Sequence, residues 1–111
     1  MVHYAGKRTA DGCNVTRNER SAAEPLSPRL DLWDHSPTGF EWGYGGSGPA
    51  QLALALLADA LGDDDRALDL HQPFKWAVIA HLPHNAWQLL AEDVVATAQE
   101  LEIERKTSSS G

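Results

Sequence analysis

The chain has 111 residues, a formal net charge of −7 and one cysteine, so it is long enough for one domain with its own core and has no internal disulfide. Its 42% hydrophobic content argues against wholesale disorder, and no apolar run approaches the ~20 residues of a membrane span. The N-terminus shows no secretory signal, so we expect a cytoplasmic protein that does not contact a membrane.

The negative charge is concentrated in the second half of the chain. Residues 1–49 contain five Lys/Arg and six Asp/Glu, whereas residues 50–111 contain four and ten. An acidic surface repels nucleic-acid phosphates, so we expect no direct nucleic-acid binding, and it suits a basic protein partner. The alternative is that the acidity serves only solubility.

The N-terminal segment predicts a β-hairpin. Strand-like runs at 2–8 and 13–16 are joined by a turn that contains Asp11-Gly12, a strong hairpin signal. Residues 17–34 are polar and contain two prolines, so they predict a loop with a short extended piece at 30–33.

Residues 39–61 organise the rest of the chain. The aromatic residues at 40, 42 and 44 alternate and predict a third strand that extends over 40–44. A glycine-rich loop follows, and Pro49 predicts the first residue of a helix that ends at about Leu61 and is buried nearly all round. Gly62 fits the residue that terminates this helix.

The remaining chain predicts more helices and one short strand. A helix over 64–71 is expected to kink or restart at Pro73 and to continue over 74–82. Residues 87–89 predict either a short fourth strand or an anchor. A last amphipathic helix is expected over 91–103. The sequence therefore predicts one α+β domain (1–106), with an antiparallel sheet of three or four strands against three or four helices, and a flexible tail (107–111).

The glycine loop is the candidate ligand site. Backbone N–H groups of Gly45, Gly46, Ser47 and Gly48, at the positive end of a helix dipole, suit a nucleotide or another anion. The spacing matches no dinucleotide or mononucleotide fingerprint. The alternative is that the glycines only permit a sharp turn and close packing.

Catalytic and metal chemistry find little support in the sequence. His71, His81 and His84 lack a fourth ligand, so we expect no metal and no cofactor. Asp34-His35-Ser36 contains the three residue types of a hydrolytic triad, but residues adjacent in sequence rarely form one. An enzyme would need Glu41, His35 or His81 to converge in a pocket, so we expect a protein without enzymatic activity.

Partner binding has two candidate features. Asp63, Asp64 and Asp65 form an acidic run at a predicted helix start. Of the four tryptophans, most are expected in the core, and Trp33, in a proline-containing loop, is the candidate interface anchor.

Several strings resemble an uncharacterised family of small proteins found in bacterial genomes, phages and other mobile elements. They are Tyr4-x-Gly6-Lys7-Arg8, HSPTGFEWGYGGSGPAQLALALL (35–57), Phe74-Lys75 and Leu82-Pro83-x-x-x-Trp87, and the resemblance covers about 3–104. Pro73 and Leu90 look atypical for it. The resemblance implies an accessory protein that travels with mobile DNA and assigns no catalytic residue. Our hypothesis is a phage or mobile-element inhibitor of a host defence factor.

Overall fold

The computed structural model describes residues 1–37 and 39–110, with side chains described as far as Arg105. Its elements, in chain order, are β1 Val2–Thr9, β2 Gly12–Glu19, β3 Ala22–Pro25, α1 Ser47–Leu61, α2 Asp64–Ala77, a 3₁₀ turn Ile79–His81, β4 Ala86–Leu90 and α3 Ala91–Ser110. The strands form one antiparallel sheet in the order β3-β2-β1-β4. The α+β class is confirmed.

The sheet buries one face against the helices. Along β1, Tyr4 and Gly6 are buried and Lys7 is exposed, because successive residues of a strand point to opposite faces of the sheet. Trp87 of β4, opposite Gly6, faces inward with them. α1 lies at the centre of the core, and its residues 52–57 are all fully buried, as predicted. Within the described chain, no helix has the length and apolar character needed to cross a membrane.

The predicted hairpin is confirmed, with Thr9 opposite Gly12 at its end. The predicted strand at 40–44 is wrong, because that segment pairs with no strand in the part of the chain that the structure describes. Gly39 and Gly43 have φ of +134° and +88°, which break an extended path, and the Gly43 N–H donates to Ile79 O. The third strand is β3, inside the segment predicted as a loop. It lies at the sheet edge, where Pro25 is tolerated.

α1 begins two residues earlier than predicted. Gly46 is its N-cap residue and Pro49 is its third residue. The first N–H groups of a helix have no partner within the helix, so the proline at this position removes no helical hydrogen bond. Gly62 ends the helix in the left-handed conformation, as predicted, with its N–H bonded to Ala58 O.

α2 is continuous through Pro73, so the predicted restart is wrong. Proline removes the N–H that would bond to the carbonyl four residues earlier, which belongs to Asp69. Arg105 of α3 supplies a donor instead, with its Nη1 3.0 Å from Asp69 O. A partner from another helix therefore satisfies the carbonyl that Pro73 leaves open.

The C-terminal elements were only partly predicted. β4 confirms the fourth strand and pairs with β1. α3 follows it directly and extends to Ser110, beyond the predicted end at 103. Gly111, the side chains of 106–110 and Thr38 lie outside the described residues, so the flexibility of the tail stays a prediction.

Candidate functional site

The glycine loop is packed against neighbouring side chains. A methyl group on Gly45 would lie 2.1 Å from the Trp76 ring, and one on Gly48 would lie 2.7 Å from Glu41 Cβ. A methyl group on Gly46 would approach the ring of Tyr44 to 2.9 Å. Each of these three glycines thus lies in close contact with a neighbouring side chain. Ligand binding by residues 45–48 stays a prediction.

Three large aromatic side chains of the described chain are exposed to solvent, and two of them, Trp76 and Tyr44, contact the glycine loop. Trp33 is 56% exposed, as its proposed role requires, and Trp76 is 58% and Tyr44 51% exposed. Only Trp42 and Trp87 are in the core, so the expectation that most tryptophans are buried holds for two of the four.

A histidine pair underlies Trp33. The Trp33 and His35 rings are stacked, with centroids 5.1 Å apart and planes 6° apart. His35 Nε2 lies 2.9 Å from Nε2 of the buried His71. Burial lowers the pKa of His35, and His71 and Lys75 lower it further, against a smaller opposing effect of Asp34. Trp33 therefore stacks on a hydrogen-bonded imidazole whose pKa is lowered.

Gln51 positions the backbone beneath this pair. Its side chain is fully buried in α1, and Oε1 accepts from the N–H groups of His35 (2.7 Å) and Ser36 (3.1 Å). Its Nε2 donates to Pro28 O at 2.6 Å. The sequence analysis missed Gln51, although a glutamine within an apolar helix is a visible signal, because a buried amide needs partners.

Lys75 is the other residue that the sequence analysis missed. It is only 8% exposed, and its Nζ lies over the Trp76 ring, 4.6 Å from the centroid. Among the described residues it has no hydrogen bond or ion pair, whereas five arginines each pair with a carboxylate: Arg8, Arg17, Arg29, Arg66 and Arg105. The Lys75 side chain is thus mostly buried, and its ammonium contacts an indole ring rather than a carboxylate of the described chain.

The predicted acidic run has structural roles at two of its three positions. Asp63 caps α2 by accepting from the Arg66 N–H at 3.1 Å. Asp64 forms an ion pair with Arg29 at 3.0 Å. Asp65 is exposed and has no ion pair within the described part of the chain. Neutralising all three residues would therefore perturb the fold as well as any partner contact.

A second acidic surface lies on α3. Asp93, Glu100 and Glu104 are exposed, and the i, i+7, i+11 spacing places them along one line of the helix. None of the three forms an ion pair with another described residue, unlike Glu102, which binds Arg66. We call Asp93, Glu100 and Glu104 the acidic stripe.

Three of the residues considered for catalysis, His35, Ser36 and Glu41, have separate hydrogen-bond partners. His35 bonds to His71, and Ser36 Oγ donates to Gly39 O at 2.8 Å. Glu41 accepts from Arg8 Nη1 at 2.9 Å. Burial alone would raise the pKa of Glu41, but hydrogen bonds from Arg8 and Cys13 hold it below its ordinary value, and a carboxylate held ionised is a poor general acid.

The histidines considered for metal binding do not form a cluster. His71 is bonded to His35 and to Leu68 O, whereas His81 and His84 are exposed and flank Pro83. Over residues 1–37 and 39–105, where side chains are described, no three His, Cys, Asp or Glu residues form a group that suits a metal ion.

The family comparison covers nearly all of this architecture. A family model described as a family of unknown function (DUF6166) matches residues 4–100. The chain belongs to the DUF6166 family. The match extends from the first strand of this DUF6166 protein into α3, and so includes the glycine loop, both histidines of the pair and Lys75.

The other comparisons add no relative. No curated protein and no solved structure gives a significant match. The DUF6166 description names no activity, so the association with phages or mobile elements stays a prediction.

Proposed function

We propose that this chain is a non-enzymatic, cytoplasmic interaction protein that binds a basic protein partner through its acidic helical half. The acidic stripe on α3 is the observation that carries the proposal. Its three carboxylates are exposed and unpaired within the described chain. Unpaired like charges along one helix face steer an oppositely charged protein toward that face.

The biological role that we propose is inhibition of a host defence factor by a phage or mobile-element protein. It rests on the resemblance of residues 35–57 to proteins of mobile elements and on the acidic surface. Such a surface competes with nucleic acid for the basic groove of a nucleic-acid-binding protein. Trp33 is the candidate apolar anchor, because exposed tryptophans are enriched among interface hot spots.

The test begins with capture of a partner from host lysate by tagged protein, followed by affinity measurement with the purified partner at low and moderate salt. Affinity should fall as salt screens the charges. The variant Asp93→Asn/Glu100→Gln/Glu104→Gln should weaken binding by about tenfold, since exposed ion pairs contribute about 0.2–1 kcal/mol each.

A variant with the same change in net charge on the sheet side is the control. Asp11→Asn/Glu19→Gln/Glu24→Gln removes three exposed carboxylates far from α3 in the sequence and should leave the affinity nearly unchanged. If the two triple variants bind equally well, or if binding is insensitive to salt, the acidic stripe does not carry the interaction.

A further inference from the structure

The two edges of the sheet differ in how they are protected. β3, at one edge, is 4 residues long and contains Glu24 and Pro25. A charge and a proline are two common features that prevent an edge strand from pairing with another chain. β4, at the other edge, contains neither a charged residue nor a proline. No described strand pairs with its outer side, which we call the free edge, so β4 is the unprotected edge of the sheet.

The pairing of β4 with β1 shows which backbone groups point to the free edge. The Arg8 N–H donates to Asn85 O at 2.8 Å, so Asn85 directs its carbonyl at β1. Backbone groups of successive residues point to alternate sides of a strand, so the odd-numbered residues of β4 face β1. Ala86, Gln88 and Leu90 therefore direct their N–H groups at the free edge, and their side chains are exposed.

We propose that β4 pairs through its free edge with β4 of a second copy of this chain, antiparallel and around a twofold axis at Gln88. An interface of this symmetry requires a surface that is complementary to itself. In this register Gln88 lies opposite its own copy, and each backbone N–H donates to the other carbonyl. The Leu90 N–H of each chain donates to Ala86 O of the other. Self-association is a property beyond the proposed binding of a basic partner.

The side chains that meet in this register are also complementary. The two Gln88 side chains lie opposite each other on one face of the joined sheet, and each amide can both donate and accept. Leu90 is 37% exposed, and it lies opposite the small side chain of Ala86, so pairing covers apolar surface. Each edge residue of β4 thus finds a suitable neighbour in an identical strand.

Charges at the two ends of β4 favour the antiparallel direction. Lys7 of β1 lies opposite Ala86, whereas Asp93 lines a shallow groove with Leu90 at the other end. Antiparallel pairing brings the Leu90 end of one copy to the Ala86 end of the other. Asp93 of each copy therefore approaches Lys7 of the other, and this match favours a second copy over an unrelated extended peptide as the occupant.

The test measures the mass of the full chain in solution by sedimentation, from about 10 µM to about 1 mM. Moderate salt is present to screen the net charge of −7. We expect a reversible dimer, and hydrogen exchange should show protection of the Gln88 and Leu90 amides as the dimer forms. A wild-type chain that stays monomeric at about 1 mM overturns the proposal.

Charge substitutions at the twofold axis identify the surface. Gln88→Lys places two like charges opposite each other and should weaken the dimer by about tenfold, and Gln88→Glu should do the same. An equimolar mixture of the two variants should recover a dimer, because opposite charges then meet at the axis. The control Asn14→Lys adds the same charge at an exposed position of β2, which is not an edge strand, and should leave the dimer unchanged.

The outcomes separate the possible occupants of the free edge. Equal dimerisation of Gln88→Lys and wild type, or no recovery in the mixture, rejects pairing through β4. If the chain is monomeric alone and its Gln88 and Leu90 amides become protected only when the basic partner is added, the edge binds an extended segment of that partner instead. The Gln88 variants retain the acidic stripe, so loss of the dimer and loss of partner binding are separate results.

Discussion

His35 and His71, which are 36 residues apart in the chain, share a hydrogen bond between their Nε2 atoms at 2.9 Å. The direction of this bond follows from the opposite side of His71, where Nδ1 lies 2.6 Å from Leu68 O. A carbonyl only accepts, so Nδ1 carries the proton and the Nε2 of neutral His71 is the acceptor. His35 Nε2 is therefore the donor.

This arrangement predicts a stability that falls in acid. The pKa of His35 is lower in the folded chain than its ordinary value of 6.5, first because of burial and then because of His71 and Lys75. Below that ordinary value the unfolded chain binds more protons than the folded chain, so acid favours unfolding. The stability from neutral His35 is complete above about pH 6.5 and is lost as pH falls through the folded pKa.

Urea unfolding over this pH range checks the prediction. The free energy of unfolding of His35→Gln should depend less on pH than that of wild type, whereas His84→Gln, at an exposed site, should keep the wild-type dependence. Parallel curves for wild type and His35→Gln would contradict the assignment to His35.

Gln51→Leu should destabilise the chain by about 1–3 kcal/mol, because it removes the hydrogen-bond partner of three polar groups in the 28–36 loop. The groups concerned are the N–H of His35, the N–H of Ser36 and Pro28 O. Urea denaturation measures the loss, and Trp33 fluorescence reports the loop. Gln99→Leu, at an exposed position of α3, is the helical control and should change stability by less than about 0.5 kcal/mol. Equal effects of the two substitutions would argue against this role of Gln51.

Gly6→Ala and Gly45→Ala should differ sharply in their cost to stability, although each new methyl group would contact an indole ring. The methyl group would lie 2.2 Å from Trp87 in the first variant and 2.1 Å from Trp76 in the second. Trp87 is buried and in contact with Trp42, so Gly6→Ala should cost about 1–3 kcal/mol. Trp76 is exposed and free to rotate away, so Gly45→Ala should cost less while changing Trp76 fluorescence.

Thermal unfolding compares the two glycine variants. In a Trp87→Leu background the cost of Gly6→Ala should shrink, because the clashing ring is gone. An unchanged cost in that background would show that the strain lies in the β1 backbone instead.

Arg105 should matter to stability only while Pro73 is present. Arg105→Met removes the donor to Asp69 O and should cost about 0.5–1.5 kcal/mol. Arg105 also forms an exposed ion pair with the Asp69 carboxylate at 2.8 Å, and this pair should add little to the stability. In a Pro73→Ala background, the N–H of residue 73 can satisfy Asp69 O, so the cost of Arg105→Met should fall. A double-mutant cycle with no coupling would contradict this account of the proline.

Local signals in the sequence were sufficient for most elements. Asp11-Gly12 located the hairpin, the apolar run after Pro49 located the central helix, and Gly62 located its end. These features depend on neighbours within a few residues, so turn chemistry and periodicity reveal them. The prediction of a strand at 40–44 was wrong because an alternation of aromatic residues does not show whether the segment can reach an unpaired edge of a sheet.

The sequence by itself determined the fold class, the acidic helical half and the central helix, because each follows from composition or short-range pattern. Only the tertiary structure decided the long-range relationships: His35 with His71, Gln51 with the loop before α1, and Arg105 with the carbonyl that Pro73 leaves open. It also decided that Lys75 is buried while Trp76 beside it is exposed. These features depend on how separate elements pack against one another, and the local sequence pattern carries no information about that packing.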